Sequence, residues 1–332
     1  MRHHQFFADP DADPAYTLVG KLDVATSSEG ELELEEEFDT MVQARSERPS
    51  SSENQPSSDT SPIDYFDSED LSASMVLPYL DTEVVEGAIY RPQVGYLRPR
   101  ELAKEFNNRA KANGATFNEH SKVEEIRTTN DRATGLVVDG KSIDADEVIC
   151  AAGPWNPKIA RSIGVELPVK HTLAPVLKLE PATSRQYALP WITHHESGFS
   201  IRRNIDGTVL MTHHPVGGYD VATEYDPTDI SETVPDDIRK HGLETLERLL
   251  PATENAEIVD EWVGIRSSTP DQNPVVGWTS LKGFSIAAFS TSGIQLSPAT
   301  GKVIAAQLVD NDPTSYYDGL SITRFKEYDD WR

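Results

Sequence analysis

Apolar residues recur along Arg98–Gly114 with the period of a helix, Leu102, Ala103, Phe106 and Ala110 forming one stripe. Pro99 suits the first helical position, Glu101 the positive end of the helix dipole, and Gly114 the left-handed residue past the last turn. The pattern then shortens. Strands are expected at Thr116–Glu119, Lys122–Arg127 and Thr134–Val138, with Asp139-Gly140 as a hairpin turn. Glu147–Ala152 reads as a buried strand that runs into Gly153-Pro154-Trp155.

Residues 171–230 alternate apolar and polar positions in short runs, and Asp206-Gly207 separates FSIRR from TVLMTHH as a second hairpin. Pro235–Leu250 returns to helical spacing, with Ile238, Leu243, Leu246, Leu249 and Leu250 roughly on one face. Phe284–Phe289 is another short buried strand. It leads through Thr291-Ser292-Gly293 to a helix expected from about Pro298 to Val309, which Asn311-Asp312-Pro313 would stop. Before this packed region the signal is weak. Residues 1–44 hold no long apolar pattern, and Arg45–Pro62 has the Ser/Pro/Glu/Asn texture of a flexible linker. Helix, meander and buried strand in this order predict an α/β sheet with an antiparallel insertion, without internal repeats.

Composition narrows the function. The 332 residues are 37% hydrophobic and contain no apolar run long enough to span a membrane. Met1–Pro10 lacks the pattern of a signal peptide, and the single cysteine, Cys150, agrees with a reducing compartment, so a cytoplasmic protein is expected. The net charge of −25 repels nucleic acid and anionic membranes; it reads either as an acidic functional surface or, the favoured reading, as a surface solvated at high salt. The dense run Glu31–Asp39 reads as a solvated face, since it lacks the loop spacing of a calcium site. The pairs His3-His4, His194-His195 and His213-His214 give no metal site, because adjacent strand residues point to opposite faces. No Gly-x-Ser-x-Gly elbow supports hydrolase chemistry.

Three patterns carry candidate chemistry. Ala151-Ala152-Gly153-Pro154-Trp155 ends a strand in small residues, which let a flat ligand approach the backbone or simply make a tight turn. Arg266, set in EWVGIR, is a fork for a substrate carboxylate or one half of a structural salt bridge. Phe289–Gly301 (FSTSGIQLSPATG) is a glycine-bearing turn before a helix, whose N–H groups and dipole favour negative charge; alternatively Ser297 and Pro298 merely begin a helix.

In this order and spacing, these pieces resemble the D-amino-acid oxidase family of flavoenzymes, closest to glycine oxidase and sarcosine oxidase. The resemblance runs from about Tyr90 to Phe325. It rests on GYLRPRELA, Gly114-Ala115, Val123, VICAAGPWNPKIA, Leu167-Pro168-Val169, WVGIRSSTPDQNPVVG, FSTSGIQLSPATG and Arg324-Phe325. It implies a FAD-binding Rossmann-like sheet at residues 98–170 and 262–332, and an antiparallel β-rich substrate domain at 61–97 and 171–261. Residues 1–60 would be a remnant N-terminal segment and linker. Val123 would lie against the adenine of FAD, and Ala151, Gly153 and Trp155 would line its channel. Phe289, Ser290, Thr291, Ser292, Gly293, Ile294 and Gln295 would wrap the flavin ring, and Arg266 would grip the substrate carboxylate.

The implied activity is oxidation of the C–N bond of an amino acid or secondary amine by hydride transfer to flavin, with dioxygen or a carrier as electron acceptor. Two departures qualify it. No GxGxxG occurs, so the first βαβ unit is missing, and the alternative is a non-catalytic or partner-dependent fragment that cannot hold FAD without an absent N-terminal polypeptide. Gly264 stands where sarcosine oxidases carry cysteine, so FAD would be held non-covalently, and Thr291 offers only a hydroxyl where some relatives place a basic residue.

Overall fold

The computed structural model describes residues 16–46, 63–73, 79–181, 189–204, 206–223, 225–310 and 318–325. The strands, in chain order, are β1 (Thr17–Leu18), β2 (Lys21–Ala25), β3 (Asp64–Asp67), β4 (Gly87–Arg91), β5 (Gly95–Tyr96), β6 (Val123–Thr129), β7 (Arg132–Val138), β8 (Lys141–Asp144) and β9 (Val148–Cys150). They continue as β10 (Lys170–Glu180), β11 (Trp191–His194), β12 (Phe199–Arg203), β13 (Val209–His213), β14 (Glu257–Ser268), β15 (Val275–Trp278) and β16 (Phe284–Ala288). The helices are α1 (Ser28–Ser46), α2 (Ser68–Ala73), α3 (Pro99–Ala112), α4 (Asn156–Arg161), α5 (Asp236–Leu249) and α6 (Gly293–Asp310). Among the described residues no helix is long and apolar enough to cross a membrane.

Two sheets organise the chain. The larger has eight strands in the order β14-β10-β13-β12-β11-β2-β4-β3, antiparallel except where β11 meets β2. Alternation gives it two unlike faces. Leu22, Val24, Leu177, Leu179, Ile192, Phe199, Ile201, Val209 and Met211 point to one side, where they form a core with Leu246 and Leu249 of α5. That helix comes close because of Gly242, where a Cβ would sit 3.2 Å from Met211 Sδ and 3.3 Å from both Leu177 and Phe199. The opposite face carries polar and charged residues.

The smaller unit contains the three-stranded sheet β15-β16-β9, in which β9 and β16 are parallel. Phe284, Ile286, Val148 and Cys150 join Ala160, Leu167 and Phe325 in a second core, while Val276 and Ala287 meet Val303 and Ile304 of α6 on the other side. The meander β6-β7-β8 packs beside it. Its second turn is as expected, with Asp139 and Gly140 both at positive φ (49° and 72°).

Several expectations change. Residues 21–46 are no remnant: β2 is an interior strand of the large sheet, and α1 packs Leu34 against Ala25 and Ile89. The Glu31–Asp39 run is the exposed side of α1, its acids solvated around that one buried leucine. The expected strand at 116–119 does not form, because this segment is exposed from Lys111 to His120 and has no strand beside it. The strand expected at 147–152 is confined to Val148–Cys150. The helix expected from Pro298 starts at Gly293, so Pro298 lies inside it. A proline there cannot donate to the Ile294 carbonyl, and the Ser297 hydroxyl does so instead at 2.9 Å. Ser297 is therefore not the cap. The division at 261/262 falls within β14, which runs unbroken through it. Most of the Arg45–Pro62 linker, the pair His3-His4 and the Asn311-Asp312-Pro313 stop lie outside the described residues.

Candidate functional site

The carboxyl ends of β9 and β16 lie side by side because these strands are parallel. The segments that leave the two strands are therefore brought together, as expected of an α/β ligand site. After β9 come Ala151, Gly153 and Trp155, all exposed, the tryptophan by 41%. Gly153 adopts φ +58°, which a residue with a Cβ rarely does, and open space surrounds the place a Cβ would occupy. Asn156 locks this bend. It is fully buried, accepts from Ala152 N–H at 2.8 Å and from the Cys150 thiol at 3.2 Å, and donates to the Ala287 carbonyl at 3.0 Å. One side chain thus ties the ends of both strands.

After β16, Phe289 and Ser290 lead into Thr291 and Ser292, at φ 58° and 32°. Two consecutive non-glycine residues in this region are strained, more so for β-branched threonine. The strained turn delivers the chain into α6, whose first hydrogen bond within the turn is Leu296 N–H to the Ser292 carbonyl. The N–H groups of Gly293, Ile294 and Gln295 precede it and sit at the positive end of the helix dipole. Ile294 and Gln295 are exposed, and a Cβ at Gly293 would meet the Phe289 ring tightly, at 3.3 Å.

β14 brings the large sheet to this place. Its end is fastened to the turn by Thr291 N–H donating to the Ser267 carbonyl at 3.1 Å and Thr269 N–H donating to Ser290 Oγ at 3.1 Å. The Gly153–Trp155 bend packs against the same strand. Beyond β14, Asp271 accepts from Arg324 Nε at 2.7 Å and Nη2 at 3.0 Å, which fixes the 269–273 turn to the closing Arg324-Phe325.

Arg266 stands one residue before this junction, on the polar face of the large sheet opposite Thr172. It is half-buried, and among the described residues its side chain has no hydrogen bond and no acidic partner. Burial lowers its pKa from the ordinary arginine value, and no carboxylate opposes that shift. Arg239 is the contrast: Glu261 accepts from it at 2.7 and 2.9 Å and raises its pKa. The chain has 55 acidic residues, yet among the described residues none of them pairs with this half-buried guanidinium. Among the described residues, then, no salt bridge holds Arg266.

The same face carries His214, Arg202, Trp191, Lys21 and Arg91. Asp23 neutralises part of it, bonding Lys21 at 2.6 Å and Arg91. Arg202 lies 5.6 Å from the Tyr96 ring centroid and donates to Asn204 Oδ1 at 3.1 Å. Sequence reasoning missed Asn156, His214 and this Arg202–Tyr96 contact. Only a register across strands places them, although the His213-His214 pair was visible.

The structure therefore gathers Ala151, Gly153, Trp155, Arg266 and residues 289–295. Val123 stands apart at the start of β6, exposed by 50% and paired with Val138. An open glycine bend, an exposed indole, free N–H donors at a helix start and no Cβ in the way fit a flat ring with an anionic edge, as a flavin has.

Comparison with known proteins agrees with this geometry. The family described as "DAO: FAD dependent oxidoreductase" matches residues 1–307. A D-amino acid dehydrogenase of Paramagnetospirillum magneticum is 26% identical over 245 residues, covering 73% of this chain and 55% of that protein. A glycine oxidase of Pseudomonas putida is 27% identical over 191 residues, covering 57% of this chain and 48% of that one. The chain thus spans about half the length of these relatives. Among solved structures, L-proline dehydrogenase from P. horikoshii superposes with a TM-score of 0.77 at 19% identity, covering 98% of this chain and 80% of that one. Glycine oxidase from Geobacillus kaustophilus gives 0.72 at 22%, covering 97% and 79%.

Proposed function

Because the chain belongs to the DAO family of FAD-dependent oxidoreductases, we propose that it oxidises the C–N bond of an amino acid or of a secondary amine bearing a carboxylate. Bound FAD would supply the hydride-accepting chemistry. The chain's own residues do the rest. Arg266 holds the substrate carboxylate by a charge-assisted, fork-shaped contact. That contact fixes which carbon faces the ring, and such positioning accounts for much of the rate in reactions of this kind. Phe289–Gln295 would hold the pyrimidine edge of the ring. Their N–H groups and the α6 dipole would favour negative charge at that edge. Trp155 and the Gly153 bend line the channel.

The observation that carries this reading is Arg266, half-buried at the junction of both sheets and without an acidic partner among the described residues. Its test is substitution. Arg266→Ala is expected to raise KM for carboxylate-bearing amines roughly a hundredfold, about 3 kcal/mol, with flavin still bound. Unchanged turnover of such substrates would remove the assignment.

A second reading is favoured by one observation, the absence of GxGxxG from all 332 residues. In it, a further segment or polypeptide supplies the pyrophosphate-binding turn, and this chain holds FAD only in its presence. An absorbance spectrum of the purified chain, taken after FAD addition and desalting, separates the two: retained flavin bands support the first, a colourless protein the second. A cytoplasmic setting belongs to either reading, supported by the single, buried Cys150.

A further inference from the structure

The roles assigned so far leave out His214. The structure splits the histidine pair to which it belongs. Phe199 and His213 are opposite one another in the β12–β13 ladder, with ring centroids 4.7 Å apart on the apolar side. The ladder continues one residue further, His214 N–H donating to the Gly198 carbonyl at 3.0 Å. Successive strand residues face opposite ways, so the His214 ring lies on the polar face with Arg266.

Its two ring nitrogens have different surroundings. Nδ1 is sealed from solvent and has no partner. Nε2 also lacks a partner among the described residues but is not sealed. A proton on Nδ1 would be a buried donor with nothing to bond, so the neutral ring carries its proton on Nε2. The charged or titratable groups acting on the ring are Arg266 from β14, Lys21 from β2 and its neighbour His213. Burial first, and then these three, oppose a second proton and push the pKa down to about 4. At neutral pH, His214 is an uncharged N–H donor on the same face as Arg266, whose charge acts on the ring across β10.

We infer that His214 is a second anchor for the substrate carboxylate, its Nε2–H donating to one oxygen while the Arg266 guanidinium holds the other. This rests on the reading of Arg266 above. Two donors with no acceptor between them select a carboxylate over the carboxamide of the same shape, whose NH2 group would face a donor.

Benzoate and benzamide, equal in size, are the probes, titrated by calorimetry into the FAD-loaded protein. His214→Ala is expected to weaken benzoate roughly tenfold, the lower end for a hydrogen bond to a charged group, and to leave benzamide unchanged. His214→Gln, which keeps an N–H donor, should recover most of that loss. Unchanged benzoate affinity in His214→Ala would overturn the inference. So would an equal loss for both probes, which would mark a packing role. Arg266→Ala distinguishes the two levels. If it abolishes benzoate binding while His214→Ala does nothing, Arg266 stands and His214 alone falls. If Arg266→Ala leaves benzoate binding intact, both fall.

Discussion

Glu196 is a single carboxylate that ties the end of β11 to the turn between β2 and α1. It accepts from Thr26 N–H at 2.7 Å and Ser27 Oγ at 2.9 Å, and it lies 3.0 Å from His194 Nε2. Ser27 in turn receives the Gly30 N–H at 3.1 Å, so the contact secures the start of α1. Burial would raise the pKa of Glu196, but the bonds from His194, Thr26 and Ser27 overcome this and hold it at about 2. A depressed acid stabilises the fold above its unfolded pKa, near 4.5, and loses that contribution as pH falls through about 2. Glu196→Gln should therefore lower Tm at pH 7, and the gap to the parent should narrow between pH 4.5 and 3. A gap independent of pH would mean the charge is irrelevant. None of this was visible in the sequence, because Thr26 and Glu196 are 170 residues apart. Arg266, by contrast, was legible as a candidate from its apolar surroundings, but that no described acid pairs with it is a fact of three dimensions.

At the level of elements, legibility followed amphipathic strength. α3, α5 and the β12–β13 hairpin were expected nearly to the residue, since each has a clear apolar face and a proline or Asp-Gly boundary. α1 was missed because Leu34 is its only fully buried large side chain, amid acids that read as solvent-facing. β2 was missed because five residues are too few for a period. The start of α6 was missed because Pro298 normally marks a first turn, and only the Ser297 hydroxyl lets it sit deeper. The two strand ends at the candidate site depend on Asn156. Asn156→Ala should cost about 2–4 kcal/mol, since it strands the Ala152 N–H and the Ala287 carbonyl in a buried place. Denaturant unfolding measures this. A smaller loss of about 0.5 kcal/mol would mean that water takes over both bonds.

The whole molecule carries a net charge of −25, and this repulsion opposes compactness. Raising KCl from 0.1 to 1 M shortens the screening length from about 10 to about 3 Å, so Tm should rise with salt. A flat or falling Tm would show that the acids do not strain the fold. Chain order also matters at this scale. β9 and β15–β16 belong to one small sheet, yet all of β10–β14 is made between them, and β14 ends inside the candidate site. During synthesis, then, β9 emerges about 130 residues ahead of its only described partner strand. At roughly 5–20 residues per second it waits on the order of 7–25 s with its ladder edge toward β16 unpaired, and that edge is filled only when Phe284–Ala288 emerges.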